Sequence, residues 1–64
     1  MATLPEQIAC VRRELAMRRS AYPRWIASGR LKPADAEREV ARMEAVLATL
    51  ESLLPQNEQP ELLG

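Results

Sequence analysis

Tyr22 and Trp25, the only two aromatic side chains, flank Pro23 within a series of six arginines: Arg12, Arg13, Arg18, Arg19, Arg24 and Arg30. Two chemistries follow from those residue types at that spacing. Guanidinium groups grip phosphates and aromatic rings stack on bases, the combination that holds single-stranded nucleic acid. Arginine and large aromatics are also the side chains that anchor protein–protein interfaces. Helical projection spreads the arginines around one helix instead of gathering them on a face, and the formal charge of the chain is zero, so long-range attraction for a polyanion is weak. Protein binding through Arg18, Tyr22, Arg24 and Trp25 is therefore one reading, with Tyr22 and Trp25 equally able to serve as core packing that closes a hairpin, and a small nucleic-acid-binding or transcription-modulating protein is the alternative. Arg12, Arg13 and Arg19 read as a solvated face.

Catalysis has little to work with. There is no histidine, so the commonest general base is missing and Ser20, Ser28 or Cys10 would lack the partner that activates a nucleophile. The carboxylates Glu37, Glu39 and Glu44 fall on one short helix where solvent can reach them, and nothing in the spacing suggests a pocket around them. Neither a glycine-rich phosphate loop nor a metal-ligand cluster occurs. The expectation is a non-enzyme with no catalytic residue, cofactor or metal.

The elements that position these residues are helices. Leu4, Ile8, Val11, Leu15, Arg18, Tyr22 and Trp25 recur at steps of four and three, with Ile26 adjoining, which places them on one helical stripe interrupted by Arg18. Thr3 with Glu6 three residues later has the spacing of a capping box, and Gly29 suits the left-handed position past a helix end. The first helix is thus expected over residues 4–28. Pro23 lies inside it, where it removes a backbone hydrogen bond; because Trp25 and Ile26 keep to the stripe, the helix is expected to continue through it. Pro33 fits the first position of a second helix, Asp35 favours its N-terminal dipole, and Ala36, Val40, Met43, Leu47, Leu50 and Leu54 repeat at four-three spacing, with Val46 and Leu53 widening the stripe. That helix is expected over 33–54, ended by Pro55. Residues 55–64 lack periodicity and read as a flexible tail, in which Leu62-Leu63 is the one apolar pair able to dock.

A connection of four residues makes the two helices antiparallel neighbours, so the fold class is all-α, a helical hairpin over 1–54. Such a hairpin sets Tyr22 near Glu39, Arg18 near Met43, and Leu15 near Val46 and Leu47. Arg18 or Tyr22 is then expected to hydrogen-bond Glu39. Residues 1–32 hold seven basic and two acidic side chains, and residues 33–64 hold two and seven, so the halves attract each other or a second copy.

Sixty-four residues make at most one domain, and a chain this short buries only about 60% of its unfolded surface. Small scaffolds compensate with disulfides, a metal or oligomerisation. A single cysteine, Cys10, and no histidine leave oligomerisation, so a homodimer forming a four-helix arrangement is expected, with Cys10 and Met17 as a contact. The lone cysteine, and an N-terminus Met1–Glu6 without the basic and apolar regions of a signal peptide, point to a cytoplasmic protein. No apolar run reaches the roughly 20 residues that cross a bilayer, so no membrane partner is expected.

The run Ile8-Ala9-Cys10-Val11-Arg12-Arg13-Glu14-Leu15-Ala16-Met17-Arg18, followed by Tyr22-Pro23-Arg24-Trp25-Ile26-Ala27-Ser28-Gly29-Arg30-Leu31 and by Ala36, Glu39 and Met43, resembles small proteins encoded by tailed phages and prophages. Its most specific part is the tyrosine-proline-x-tryptophan-x-x-x-glycine element. In fold type and in this element the chain is similar to the phage quorum-sensing anti-activators, small helical-hairpin dimers that bind and inhibit host regulators or pilus machinery. The resemblance implies a phage protein in the host cytoplasm that contacts a bacterial protein, such as a quorum-sensing regulator or a pilus assembly ATPase. It also implies that Tyr22, Trp25, Arg18, Arg24 and Arg30 make that contact.

Overall fold

Thr3 and Glu6 set the start of the first helix. In the computed structural model, which describes residues 1–55, Thr3 is extended, its Oγ1 accepts from the Glu6 N–H at 3.2 Å, and Glu6 Oε1 accepts from the Thr3 N–H at 2.9 Å. This reciprocal capping box pairs two amides that a helix start leaves without partners. The bonds from the Thr3 backbone and side chain also hold the Glu6 carboxyl below its ordinary value.

Helix α1 spans Leu4–Ala27 and helix α2 spans Pro33–Ser52, packed against each other as a hairpin; no strand occurs among the described residues. Helix α1 runs on through Pro23, at the cost of the bond that residue would have given the Arg19 carbonyl. Its end is closed by two bonds of the Schellman type. Gly29, at φ +81°, donates its N–H to the Ile26 carbonyl at 3.1 Å, and Arg30 donates to the Trp25 carbonyl at 2.8 Å.

Pro33 opens α2, where its missing N–H would have had no partner in any case, and Asp35 sits in the first turn, accepting from Arg38 at 3.1 Å. The helix stops at Ser52, two residues short of the expected 54, with Leu53 as its cap. Pro55 is the cause: its ring disfavours helical geometry at Leu54, so the last fully helical residue falls earlier. Beyond Pro55, the tail expected over 55–64, including Leu62-Leu63, lies outside the described residues.

The interface between the helices is filled unequally. Helix α1 buries Ile8, Leu15 and Tyr22, seven residues apart in turn, whereas α2 buries only Ala36. Val40, Met43, Leu47 and Leu50 of α2 are half-buried. Opposite charge joins the helices at their edges: Arg12 pairs with Glu51, Arg19 with Glu44, and Arg18 with Glu39. Arg12 and Arg19 thus bridge the hairpin instead of lying free in solvent. Arg18 reaches Glu39, one turn nearer the start of α2 than the Met43 expected opposite it. Among the described residues, neither helix is long and apolar enough to cross a membrane.

Candidate protein-binding surface

Tyr22 and Trp25 are separated by one helical turn and divide their roles. Tyr22 is buried at 8% exposure, filling the interface with α2, while Trp25 remains 41% exposed. Their ring centroids lie 5.6 Å apart with the planes tilted by 42°, within the range of favourable aromatic pairs. The indole therefore has one side on a fixed base and the other toward solvent.

The backbone beneath Trp25 is fixed as well. Its carbonyl accepts from the Arg30 N–H, from the Leu31 N–H at 3.2 Å and from Ser28 Oγ at 3.1 Å. Three donors on one carbonyl tie Trp25 to the interhelix turn, so the positive-φ glycine that closes α1 also holds its exposed aromatic residue in place. An open groove of about 430 Å³ adjoins the indole, lined by Glu14, Met17, Arg18, Ala21, Tyr22 and Trp25.

Arg18 borders that groove within a line of alternating charge. Its guanidinium lies 3.7 Å from Glu14 and 3.9 Å from Glu39, and Glu39 in turn accepts from Arg42 at 3.2 Å. The expected hydrogen bond across the hairpin is thus an ion pair: 3.9 Å exceeds hydrogen-bond reach, and Tyr22, although beside it, makes no hydrogen bond to Glu39. Long side chains that are each more than a third exposed meet through screened charge here, not through a desolvated contact.

Of the five expected binding residues, the fold brings Arg18, Tyr22 and Trp25 into one groove. Arg24 and Arg30 are exposed and lie outside its lining. Among the described residues Arg24, Arg30 and Lys32, near the interhelix turn, have no carboxylate partner, nor does Arg13, about four helical turns away along α1. Met17 and Ala21 join Trp25 in the groove, although Met17 was expected with Cys10 on a separate side. The signal for their place was present in the spacing, since Met17, Ala21 and Trp25 follow one another at i, i+4 and i+8.

No family model, curated protein or solved structure matches this chain. The surface is therefore defined by its geometry.

The ion pairs sort the remaining side chains into two faces of the hairpin. Arg12 and Arg19, seven residues apart, meet Glu51 and Glu44, also seven apart, on one face. Pro23, Ile26, Val40 and Ala41 line a groove there. Arg18 and Glu39 mark the other face. Trp25 lies seven residues on from Arg18, and Val46 and Leu53 lie seven and fourteen on from Glu39, so all three belong to it. Together with Met17, these are the large apolar side chains most exposed along the helices: Met17 56%, Trp25 41%, Val46 49% and Leu53 63%.

Proposed function

We propose that the protein is a phage- or prophage-encoded helical-hairpin homodimer that binds a bacterial host protein in the host cytoplasm and modulates or inhibits it. The target is a quorum-sensing or other transcription regulator, or a pilus assembly ATPase, and the protein performs no catalytic step of its own. The observation that carries this reading is the exposed indole of Trp25, seated on buried Tyr22 and anchored through its backbone to the turn. A large, rigid, half-apolar side chain beside arginines has the make-up of an interface anchor, because little ordering entropy is lost when a partner covers it.

The homodimer rests on the exposed apolar flank of α2 at Val46 and Leu53, which two helices alone leave open. The nucleic-acid alternative is weaker, because Arg12, Arg18 and Arg19 are engaged by carboxylates and so offer less charge to a phosphate backbone.

The test is capture from bacterial lysate with wild-type protein and Trp25→Ala immobilised in parallel, after circular dichroism has shown equal helix content. Wild type should retain a protein that Trp25→Ala loses, and adding free wild type should lower the activity of that protein once purified. Equal capture by both, or retention of nucleic acid in its place at low salt, would overturn the reading.

A further inference from the structure

The exposed apolar side chains of the Arg18–Glu39 face occur at matching heights on the two helices. Arg12 meets Glu51 and Arg19 meets Glu44, which puts each pair at about the same height, while the longer 3.9 Å contact of Arg18 with Glu39 slants toward the turn. Cys10 and Met17 lie two residues before those arginines, and Leu53 and Val46 lie two residues after those glutamates. In antiparallel helices both steps run away from the turn, by about 3 Å. Cys10 is therefore level with Leu53, and Met17 with Val46.

Charge differs between the helices. Between residues 4 and 27, five arginines stand against two glutamates, and between 33 and 52, five carboxylates stand against two arginines; with Arg12–Glu51 and Arg19–Glu44 already paired on the opposite face, a net charge of +1 remains on α1 and −1 on α2. Two hairpins can stack face to face about a two-fold axis in two ways. With the axis across the helices, the turns point in opposite directions, α1 lies on α1 and α2 on α2, and like charges meet. With the axis along the helices, the turns lie at the same end and α1 of each copy covers α2 of the other.

Resting on the homodimer reading above, we propose that a second copy of this chain covers the Arg18–Glu39 face with both turns at the same end. Met17 and Cys10 of each copy then face Val46 and Leu53 of the other. This arrangement keeps every height unchanged, so the apolar positions coincide while the basic helix lies on the acidic one. It also covers the open side of α2 with the exposed side of α1. Trp25 falls nearer the turn, level with Arg38, which is paired to Asp35. The other copy offers the indole no apolar cover there, so dimerisation and binding of a different protein use separate parts of one face.

Cys10 is exposed and is the only cysteine, which permits a direct test. Native chains are mixed with a Cys10→Ser/Leu53→Cys variant, allowed to exchange, and treated with a short bis-maleimide, while light scattering records the mass. The expected result is twice the 7.2 kDa of the chain by scattering and a covalent dimer in the mixture, several-fold above either protein alone. A Cys10→Ser/Thr49→Cys variant, one turn back along α2 with Leu53 intact, should behave alike if Leu53→Cys weakens assembly. A monomeric mass for native protein overturns both this proposal and the homodimer reading. A dimeric mass without cross-linking in either mixture, or efficient Cys10–Cys10 linkage in native protein alone, overturns this arrangement and leaves the homodimer standing.

Discussion

Tyr22 and Trp25, with ring centroids 5.6 Å apart, lie on the two sides of a boundary: the first is inside the hairpin at 8% exposure and the second outside it at 41%. Helical geometry explains the division. Tyr22 continues the Ile8–Leu15 column that faces α2, whereas Trp25 continues the column of Arg18, which leads to the edge. The pair thus joins the core to the surface within one turn.

Truncating the two should therefore have unequal effects. Tyr22→Ala removes a buried aromatic from a core with few other large members and should cost about 3 kcal/mol, enough to unfold much of so small a protein. Trp25→Ala should cost about 1 kcal/mol, mainly its contact with Tyr22. Urea titrations followed by far-ultraviolet circular dichroism measure both. Equal losses would mean that Trp25 is as structural as Tyr22 and that its exposure has no bearing on binding.

Gly29 makes a separate prediction. Its φ of +81° is what lets the Arg30 and Leu31 amides turn back onto the Trp25 carbonyl, and a Cβ there would meet no other atom within 4 Å. Gly29→Ala should thus cost about 1 kcal/mol through backbone conformation alone, with Gly29→Asn milder because asparagine tolerates the left-handed region. In a chain of this size the alanine variant should melt about 4–8 °C lower. No change in melting would show that the turn can close another way.

Local chemistry was the legible part of the sequence. Thr3 with Glu6, Gly29 and Pro33 each act within a few residues, so α1 and the start of α2 fall where their types require. The end of α2 was less legible, because Pro55 restricts Leu54 as well as itself and Leu53 becomes the cap. The site depended on packing between helices. Spacing placed Arg18, Tyr22 and Trp25 on one stripe, and the steps of four from Met17 to Ala21 to Trp25 also carried their shared groove, although Met17 was expected with Cys10 on a separate side. It could not show that Arg12 and Arg19 would be taken by Glu51 and Glu44, since those pairings depend on register and on which edge each side chain reaches.

The capping box makes stability depend on pH in a defined direction. Hydrogen bonds from Thr3 hold the Glu6 carboxyl below its ordinary 4.5, so the folded state favours its ionised form. Such a group contributes stability that is present above the unfolded value and is lost as pH falls through the lower folded one. Thr3→Ala should raise the Glu6 value toward the ordinary one, read from the carboxyl carbon shift in an NMR titration. The melting difference between wild type and Thr3→Ala should also narrow as pH drops below 4.5. A Glu6 titration unaffected by Thr3→Ala would show that the box does not form in solution.

The bridges between helices predict a dependence on salt. Arg19 and Glu44 are each about half exposed, so solvent screens their attraction and the pair should contribute a few tenths of a kcal/mol to about 1 kcal/mol. A double-mutant cycle with Arg19→Ala and Glu44→Ala isolates that coupling from the loss of either side chain's packing. At 1 M salt the screening length falls to about 3 Å, and most of the coupling should vanish. Arg18 and Glu39 should show a smaller coupling, because their 3.9 Å separation is too long for a hydrogen bond and each has a second partner in Glu14 or Arg42. Removing Glu39 leaves Arg18 paired with Glu14, so Glu39→Ala should leave stability nearly unchanged. A larger coupling for Arg18–Glu39 than for Arg19–Glu44 would reverse this order and mark the Arg18 face as the one where charge holds the helices together.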